Sequence, residues 1–288
     1  MADFRYTSTK AGRFLTIPTD VYIGKSIEVY GEWSFGEIEL LSKLIAPGDN
    51  VVEVGSNIGA HTVFIARDLC VEGMLYAFEP RRVLFQLLCA NLMLNGIDRV
   101  RAFQLALGDS EGVIHEGALP MTTPINAGAF GLGKVPGEGE EIAVVALDTM
   151  SERLKTIALL KADVEGHELS VLLGAGGIIE RDRPVLYLEN DRPDQSEALV
   201  RHVMELGYDL YWHIVPLFRP NNHAGTGVNI FGNTCSFNML CLPSEKAATV
   251  SGLARIVDPT DHPLRREKPD AETSVTLGVE GPEARGKG

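Results

Sequence analysis

Near the N-terminus, hydrophobic and polar side chains alternate along the chain. Residues 14–18, 21–23 and 27–30 each show this period of two, which is typical of short antiparallel strands. Residues 33–44 instead carry the apolar spacing of a helix. We therefore predict a short β extension over residues 1–32, ahead of the main domain.

From residue 50 onward, short apolar runs alternate with longer amphipathic stretches. This rhythm is typical of βαβ units, which build a mostly parallel sheet with helices on both faces. The apolar runs predict seven strands, so we expect one α/β domain over residues 33–243. The expected strands cover 50–54, 75–79, 100–105, 158–163, 185–189, 208–215 and 236–242, and the expected helices cover 60–69, 82–94, 168–173 and 194–206.

Two segments depart from this rhythm. Residues 108–142 contain eight glycines and three prolines, which predicts turns, a hairpin or a lid over the site. Residues 258–288 are rich in charged side chains and have almost no apolar periodicity. Such a segment buries too little apolar surface to offset its ordering entropy of ~1–2 kcal/mol per residue. We expect a disordered tail over residues 244–288.

The first strand of the domain ends in a glycine loop. The sequence Glu53-Val-Gly55-Ser-Asn57-Ile-Gly59 leads directly into a helix. Glycines let the backbone turn sharply and approach a ligand, while helix amides face that ligand. The next strand ends in Glu79, where a carboxylate can accept both hydrogen bonds of a ribose diol. Together these features predict a nucleoside site.

The loop also narrows the choice of nucleoside. Dinucleotide sites use G-x-G-x-x-G, and nucleotide triphosphate loops end in a lysine. The segment 55–59 has Asn57 at the position where the dinucleotide motif has its second glycine, and no lysine follows the segment. Glu53 would repel a phosphate but suits a cation or an amino group. This favours S-adenosylmethionine, a sulfonium that carries a ribose and an amino-acid end.

Composition restricts the partners. The chain has 288 residues and a formal net charge of −13, which argues against nucleic acid, because phosphate binding needs clustered lysine and arginine. A small neutral acceptor fits better. No run approaches the ~18 apolar residues of a membrane span, and no leader is visible. The four cysteines lack metal-ligand spacing, so we expect reduced thiols in a cytoplasmic protein without a membrane partner. A homo-oligomer stays compatible with the sequence.

A second polar cluster follows the fourth and fifth expected strands. Asp163, Glu165 and His167 come after one strand, and Glu189 and Asn190 end the next. Open α/β sheets bind ligands at these carboxyl ends. Asp163 and His167 are the candidate general bases, with Glu165 beside them as a catalytic candidate or a helix cap.

Other residues near this edge are candidates for contact with the acceptor. The loop that contains Trp212, His213 and His223 mixes aromatic and amide side chains, which suits a polyhydroxylated ring, and Asn190 adds an amide. Trp33 and Glu37 precede the glycine loop, where they could close over a ligand, although such a tryptophan is more often part of the core.

These motifs, in this order, resemble the FkbM family of S-adenosylmethionine-dependent O-methyltransferases. The resemblance covers residues 33–190, and its most specific part is the block around Asp163. It implies a Rossmann-like class I methyltransferase fold with an antiparallel last strand, and methyl transfer to a hydroxyl of a sugar, polyketide or related metabolite. The motifs that carry it are 53–59, 78–80, 91–95, 106–109, 147–149, 161–168 and 188–189.

The resemblance also implies ligand contacts for individual residues. Glu79 would bind the ribose, and Asp109 would face the adenine edge. The methionine part would face the glycine loop, through Glu53, Gly55, Asn57 and Gly59.

Two questions stay open at this point. The site is expected to work without metal, but the spacing of Asp163, Glu189 and Asn190 also resembles that of catechol-type O-methyltransferases, which hold Mg²⁺. The second question is the class of function. A nicotinamide-dependent oxidoreductase would share the fold and Glu79, and a non-catalytic nucleoside-binding protein would share all but the acceptor site.

Overall fold

A central sheet organises the molecule. The computed structural model describes residues 4–128, 133, 139–246, 249–265 and 278–280. In this part of the chain the sheet has eight strands, namely β1 (Val51–Val54), β2 (Leu75–Phe78), β3 (Val100–Phe103), β4 (Leu159–Ala162), β5 (Val185–Glu189), β6 (Tyr208–Pro216), β7 (Cys235–Pro243) and β8 (Ala254–Ile256).

The strand order is β3-β2-β1-β4-β5-β7-β6-β8. Strands β1 to β5 are parallel, whereas β7 runs antiparallel to both β5 and β6, and β8 adds an antiparallel edge. This order confirms the predicted Rossmann-like class I methyltransferase fold, with eight strands in place of seven. Strands β2 and β3 are added on one side of β1, and β4 and β5 on the other side. The order of the strands therefore switches between β1 and β4, which opens a crevice at their carboxyl ends.

Helices cover both faces of the sheet. The helices are α1 (Ile23–Tyr30), α2 (Phe35–Leu41), α3 (Ala60–Phe64), α4 (Arg82–Leu94), α5 (Glu168–Leu173), α6 (Gly176–Asp182) and α7 (Pro193–Glu205). Helices α1 to α4 enclose one apolar cluster and α5 to α7 enclose the other, because successive residues of a buried strand point to opposite faces. A π-helical turn extends α3 over Ile65–Leu69, and 3₁₀ turns occupy Leu147–Arg153 and Pro263–Arg265.

The N-terminal extension is only partly β. Arg5–Ser8 and Arg13–Thr16 form the expected hairpin. The strands predicted over residues 21–30 are wrong, because this segment contains α1. Its buried residues Ile23 and Ile27 stand four apart and form one helical face. The Asp20 carboxylate also accepts the backbone N–H of Gly24 at 2.8 Å, which favours the helical turn.

The glycine-rich insertion contains a hairpin. Gly112–Gly117 pairs antiparallel with Gly139–Val145, and Ala106–Leu107 adds a parallel third strand. Residues 129–132 and 134–138 lie outside the described part, so a lid role for them stays a prediction. Upstream of them, Asn126 and Gly128 reach the cavity described below.

The predicted disordered tail is wrong for residues 249–265. Strand β8 lies in this segment, and Thr249–Ser251 pairs with Gly278–Glu280. His262 is 1% exposed, and its Nε2 lies 2.9 Å from the Asn190 carbonyl oxygen. A few well-placed residues at a sheet edge are enough to dock this polar segment. Residues 266–277 and 281–288 are outside the described chain, and within it no helix has both the length and the apolar character to cross a bilayer.

Candidate active site

A cavity of about 230 Å³ opens at the carboxyl ends of β1, β2, β4 and β5. Its position is the crevice that the strand order creates. The residues predicted from sequence divide into two groups. Those that line the cavity are Trp33, Glu37, Glu53, Gly55, Asn57, Glu79, Asp163, Glu165 and Glu189; those that do not are Gly59, Asp109, His167, Asn190, Trp212, His213 and His223.

The glycine loop is shaped by its protein neighbours. A Cβ on Gly55 would lie 1.9 Å from the Asp163 carbonyl oxygen, so this glycine lets the ends of β1 and β4 approach each other. Gly59 precedes α3 at φ 84°, and a Cβ there would lie 2.8 Å from Leu88 Cδ1. Asn57 also has a positive φ of 51°. The loop is therefore fixed by packing before any ligand arrives.

Glu79 ends β2 with both carboxylate oxygens oriented by the backbone. Oε2 accepts the N–H of Asn57 and Oε1 accepts the N–H of Arg81, each at 2.9 Å. Each oxygen of a carboxylate has a further lone pair, so two hydroxyls can still bind. Glu79 is 4% exposed, and burial raises its pKa to about 7.

Glu53 lies on β1 beneath the loop and is 1% exposed. Its Oε2 accepts hydrogen bonds from Thr62 Oγ1 at 2.5 Å and from Ser56 Oγ at 3.3 Å. Burial raises its pKa, while the neighbouring Lys161 acts in the opposite direction. The Oε2 atom of Glu53 therefore already accepts two hydrogen bonds from the protein itself.

Lys161 is a site residue that the sequence analysis did not identify as such. It is 2% exposed and lines the cavity, and its Nζ lies 3.2 Å from Asp163 Oδ2. Burial would lower its pKa, but the charges of Asp163, Glu37 and Glu53 keep it above its usual range. The available signal was a single lysine within the apolar strand β4.

Three carboxyl groups meet at the ends of β4 and β5. Oxygens of Asp163, Glu165 and Glu189 all lie within 4.8 Å of one another. Burial, together with the charge of Asp163, raises the pKa of Glu189 well above its usual range and that of Glu165 to about 8. Burial also acts to raise the pKa of Asp163, but Lys161 lowers it below its usual range. Asp163 is therefore the most acidic member of the group.

Glu165 is further constrained by its backbone and its ion pair. It has a positive φ of 58°, which is uncommon for a residue with a side chain, and it pairs with Arg192. Strained backbone of this kind concentrates at functional sites. Arg192 also approaches Asp191, so this guanidinium compensates acids at the cavity edge.

The third metal ligand proposed from sequence is not in place. The Asn190 side chain donates from Nδ2 to Ser196 Oγ at 2.9 Å, and it lies in a separate recess near α5 and α7. Glu165 lies with Asp163 and Glu189 in the oxygen cluster, whereas Asn190 is not among the residues that line the cavity. Side chains alternate across a strand end, which places neighbouring residues on different sides.

His167 and Asp109 meet in another surface recess. His167 precedes α5, and the Asp109 backbone N–H donates to Ser170 Oγ at 3.1 Å. Neither residue lines the main cavity. The structure does not bring the predicted histidine base or the predicted adenine contact to the other candidates.

The predicted acceptor residues also have structural partners. Trp212 and His213 are each 3% exposed, and His213 Nδ1 lies 2.8 Å from Tyr187 Oη. His223 packs against Phe35, and its backbone N–H donates to Glu32. The part of this region that does reach the cavity is Leu217 together with Thr234, Cys235 and Ser236.

Comparison with known proteins gives a consistent assignment. Residues 53–210 match the family model described as the methyltransferase FkbM domain. A relative named 31-O-demethyl-FK506 methyltransferase FkbM, from Streptomyces tacrolimicus, is 35% identical over 160 residues, covering 45% of this chain and 60% of the relative. Methyltransferase 1 of Beauveria bassiana is 29% identical over 149 residues, covering 44% and 59%. The chain thus spans about 60% of the length of these curated relatives.

A solved structure of methyltransferase FkbM from Methylobacillus flagellatus is similar at 18% identity and a TM-score of 0.48. The similarity covers 73% of this chain and 50% of the other. The family model matches more than half of the sequence and covers the carboxyl ends of β1, β2, β4 and β5, which form the cavity. The chain therefore belongs to the FkbM methyltransferase domain family.

Proposed function

We propose that this protein transfers a methyl group from S-adenosylmethionine to a hydroxyl group of a small acceptor. The observation that carries the proposal is the Glu79 carboxylate, which faces the cavity while two backbone N–H groups hold its oxygens. A carboxylate held in this way can accept hydrogen bonds from the hydroxyls of a ribose. Membership of the FkbM methyltransferase domain family supports the same ligand.

The cavity also suits the charge of this donor. Acidic residues dominate its polar lining, and a cation is attracted by them where water is scarce. When bound, S-adenosylmethionine supplies a methyl group on an activated sulfonium. The protein must then hold an acceptor hydroxyl in line with that group, which contributes up to about 7–11 kcal/mol in favourable cases.

Asp163 is the general base in this proposal. It lines the cavity and stays ionised next to Lys161, so it can accept the hydroxyl proton as the new bond forms. A base of this kind contributes ~10²–10⁴-fold. His167 lies outside the cavity lining and has no such role here.

The acceptor class is proposed from chemistry and from one relative. The relative from Streptomyces tacrolimicus is named for a 31-O-demethyl substrate, which supports an oxygen acceptor. Tyr22 and Trp33 line the cavity together with its acids, and this mixture suits a hydroxylated ring such as a sugar or a polyketide.

We propose that turnover does not need a metal. The oxygens of Asp163, Glu165 and Glu189 are ligands that Mg²⁺ accepts. However, the Lys161 ammonium already compensates Asp163, and Arg192 compensates Glu165. Dialysis against EDTA should therefore leave activity intact. Loss of turnover on dialysis, with recovery on addition of Mg²⁺ or Mn²⁺, would instead assign the three carboxylates as ligands.

The test of the function itself is ligand binding followed by turnover. Isothermal titration should show binding of S-adenosylmethionine and S-adenosylhomocysteine but not of NAD. Binding of NAD alone would support the nicotinamide-dependent oxidoreductase. Binding of S-adenosylmethionine with no turnover of any hydroxylated acceptor would support the non-catalytic nucleoside-binding protein, which family membership does not favour.

A further inference from the structure

Two carboxylate oxygens of cavity residues are buried without a hydrogen-bond partner among the described residues, Oε2 of Glu37 and Oε2 of Glu189. Glu189 belongs to the carboxyl cluster with Asp163 and Glu165, whereas Glu37 stands outside that cluster. Glu37 lies on α2, is 2% exposed and lines the cavity. Its Oε1 accepts a hydrogen bond from Ser34 Oγ at 2.7 Å, but its Oε2 is buried without a hydrogen-bond partner among the described residues. A buried carboxylate oxygen in this state costs free energy unless a donor arrives. The donor that the cavity can admit is a ligand.

Lys161 offers the opposite charge in the same cavity. Its ammonium has three N–H donors, and Asp163 is the acceptor found for it among the described residues. Glu37 contributes to the raised pKa of Lys161, yet the two side chains do not form a direct ion pair in the described structure. An acid and a base that face one cavity without touching can bind the two ends of a zwitterion.

We propose that Glu37 and Lys161 bind the amino-acid end of S-adenosylmethionine, with Glu37 accepting from the ammonium and Lys161 donating to the carboxylate. This inference rests on the proposed function and specifies how the donor is oriented. It changes the sequence-based assignment, in which Glu53 faced the methionine part. Glu53 Oε2 already accepts from Thr62 and Ser56, whereas Glu37 Oε2 has an open lone pair.

Strand register supports this orientation. Glu53 on β1 is the register partner of Lys161 on β4, and Ala77 on β2 is the partner of Glu53 on the other side. Glu79 lies two residues beyond Ala77, so two strand spacings across the sheet and about 6.6 Å along the strand separate the backbone of the ribose contact from that of Lys161, about 12 Å in all. The homocysteine arm of the donor can span that distance across the glycine loop.

The test compares two ligands that differ only in the amino-acid end. S-adenosylhomocysteine contains this end, and 5′-methylthioadenosine lacks it. By isothermal titration, Glu37→Gln should weaken S-adenosylhomocysteine about tenfold to a hundredfold, the range for hydrogen bonds to charged groups, and should change 5′-methylthioadenosine less than twofold. Glu39→Gln removes an exposed carboxylate of the same helix outside the cavity lining and should change neither affinity.

A second arm tests the lysine. Lys161→Met should lose most of the preference of the wild-type protein for S-adenosylhomocysteine over its decarboxylated analogue. If a variant does not fold, the wild-type protein still tests the inference. Analogues of S-adenosylhomocysteine that lack the amino group or the carboxylate must each bind to it at least tenfold more weakly than S-adenosylhomocysteine itself.

The outcomes separate this inference from the function on which it rests. Equal loss of both ligands in Glu37→Gln, no loss of either, or equal binding of the analogues to the wild type overturns the inference alone. A wild-type protein that binds neither S-adenosylhomocysteine nor 5′-methylthioadenosine overturns the proposed function itself.

Discussion

Replacing Glu79 by glutamine should weaken S-adenosylhomocysteine binding about tenfold to a hundredfold. Both carboxylate oxygens already accept a backbone N–H, from Asn57 and Arg81. The glutamine NH₂ group must therefore face one of these donors, and the ribose diol loses one of its two acceptors and the negative charge. Hydrogen bonds to charged groups contribute about 1.5–3 kcal/mol, which gives the stated range.

The same substitution has a pH signature. Burial raises the pKa of Glu79 to about 7 in the ligand-free protein, so the carboxylate that accepts the diol forms only as the pH rises through 7. Affinity of the wild-type protein should fall about tenfold per pH unit well below that value, since binding must then release a proton. Glu79→Gln has no proton to release, and its affinity should stay flat between pH 6 and 8.

Stability should follow the opposite direction. The pKa of Glu79 is higher in the folded protein than in the unfolded chain, so folding favours the protonated form. The resulting contribution of Glu79 to the free energy of unfolding is fully present below pH 4.5 and is lost as the pH rises to about 7. The shift corresponds to about 3 kcal/mol. Glu79→Gln should abolish this pH dependence while costing about 1–3 kcal/mol through the unsatisfied backbone N–H.

Titration calorimetry at several pH values, with denaturant unfolding in parallel, measures both effects. Asp109→Asn is a matched control, because Asp109 is exposed and lies in a different recess. The reasoning is refuted if Glu79→Gln folds and binds S-adenosylhomocysteine within twofold of the wild type, or if its affinity keeps the wild-type pH slope.

Three further substitutions, two of them paired with a control variant, test the site and its support. Asp163→Asn should reduce turnover ~10²–10⁴-fold, whereas His167→Ala should leave turnover within twofold of the wild type. If His167→Ala instead reduces turnover by ~10²-fold or more, Asp163 is not the general base. Gly55→Ala should lower the free energy of unfolding by about 3 kcal/mol or more, because its Cβ meets the Asp163 carbonyl, whereas Gly48→Ala, with open space around it, should be nearly neutral in the same denaturation assay. His262→Ala should lower the melting temperature by several degrees, and no change would show that the segment after β8 does not support the sheet.

Much of the domain was predictable because its local patterns and its tertiary structure agree. Helices α4 and α5 begin and end where the sequence predicted, and β5 matches its prediction to the residue. The helix α1 was misread because residues that alternate over a short stretch also fit a helical face. The Asp20 hydrogen bonds and burial on one side decide between them, and neither is visible in the pattern.

The candidate site was predictable to the level of strand ends but not of side-chain direction. The carboxyl ends of parallel strands share one edge, which is why Glu79 and Asp163 both line one cavity. Asn190 follows Glu189 directly, yet its side chain bonds to Ser196 on the other side. The sequence indicated that Glu37 could close over a ligand, but its place beside Lys161 and Asp163 depends on how α2 packs, which the pattern does not show.

Lys161 is a charged residue within the apolar strand β4, and its position affects the ionisation of the neighbouring carboxyl groups. Three carboxyl groups this close cannot all be ionised, because each charge raises the pKa of its neighbours. The ammonium 3.2 Å from Asp163 selects that residue for ionisation, and Glu189 in its protonated form can donate a hydrogen bond to it. One cation within an apolar strand thus determines which acid of the cavity accepts a proton.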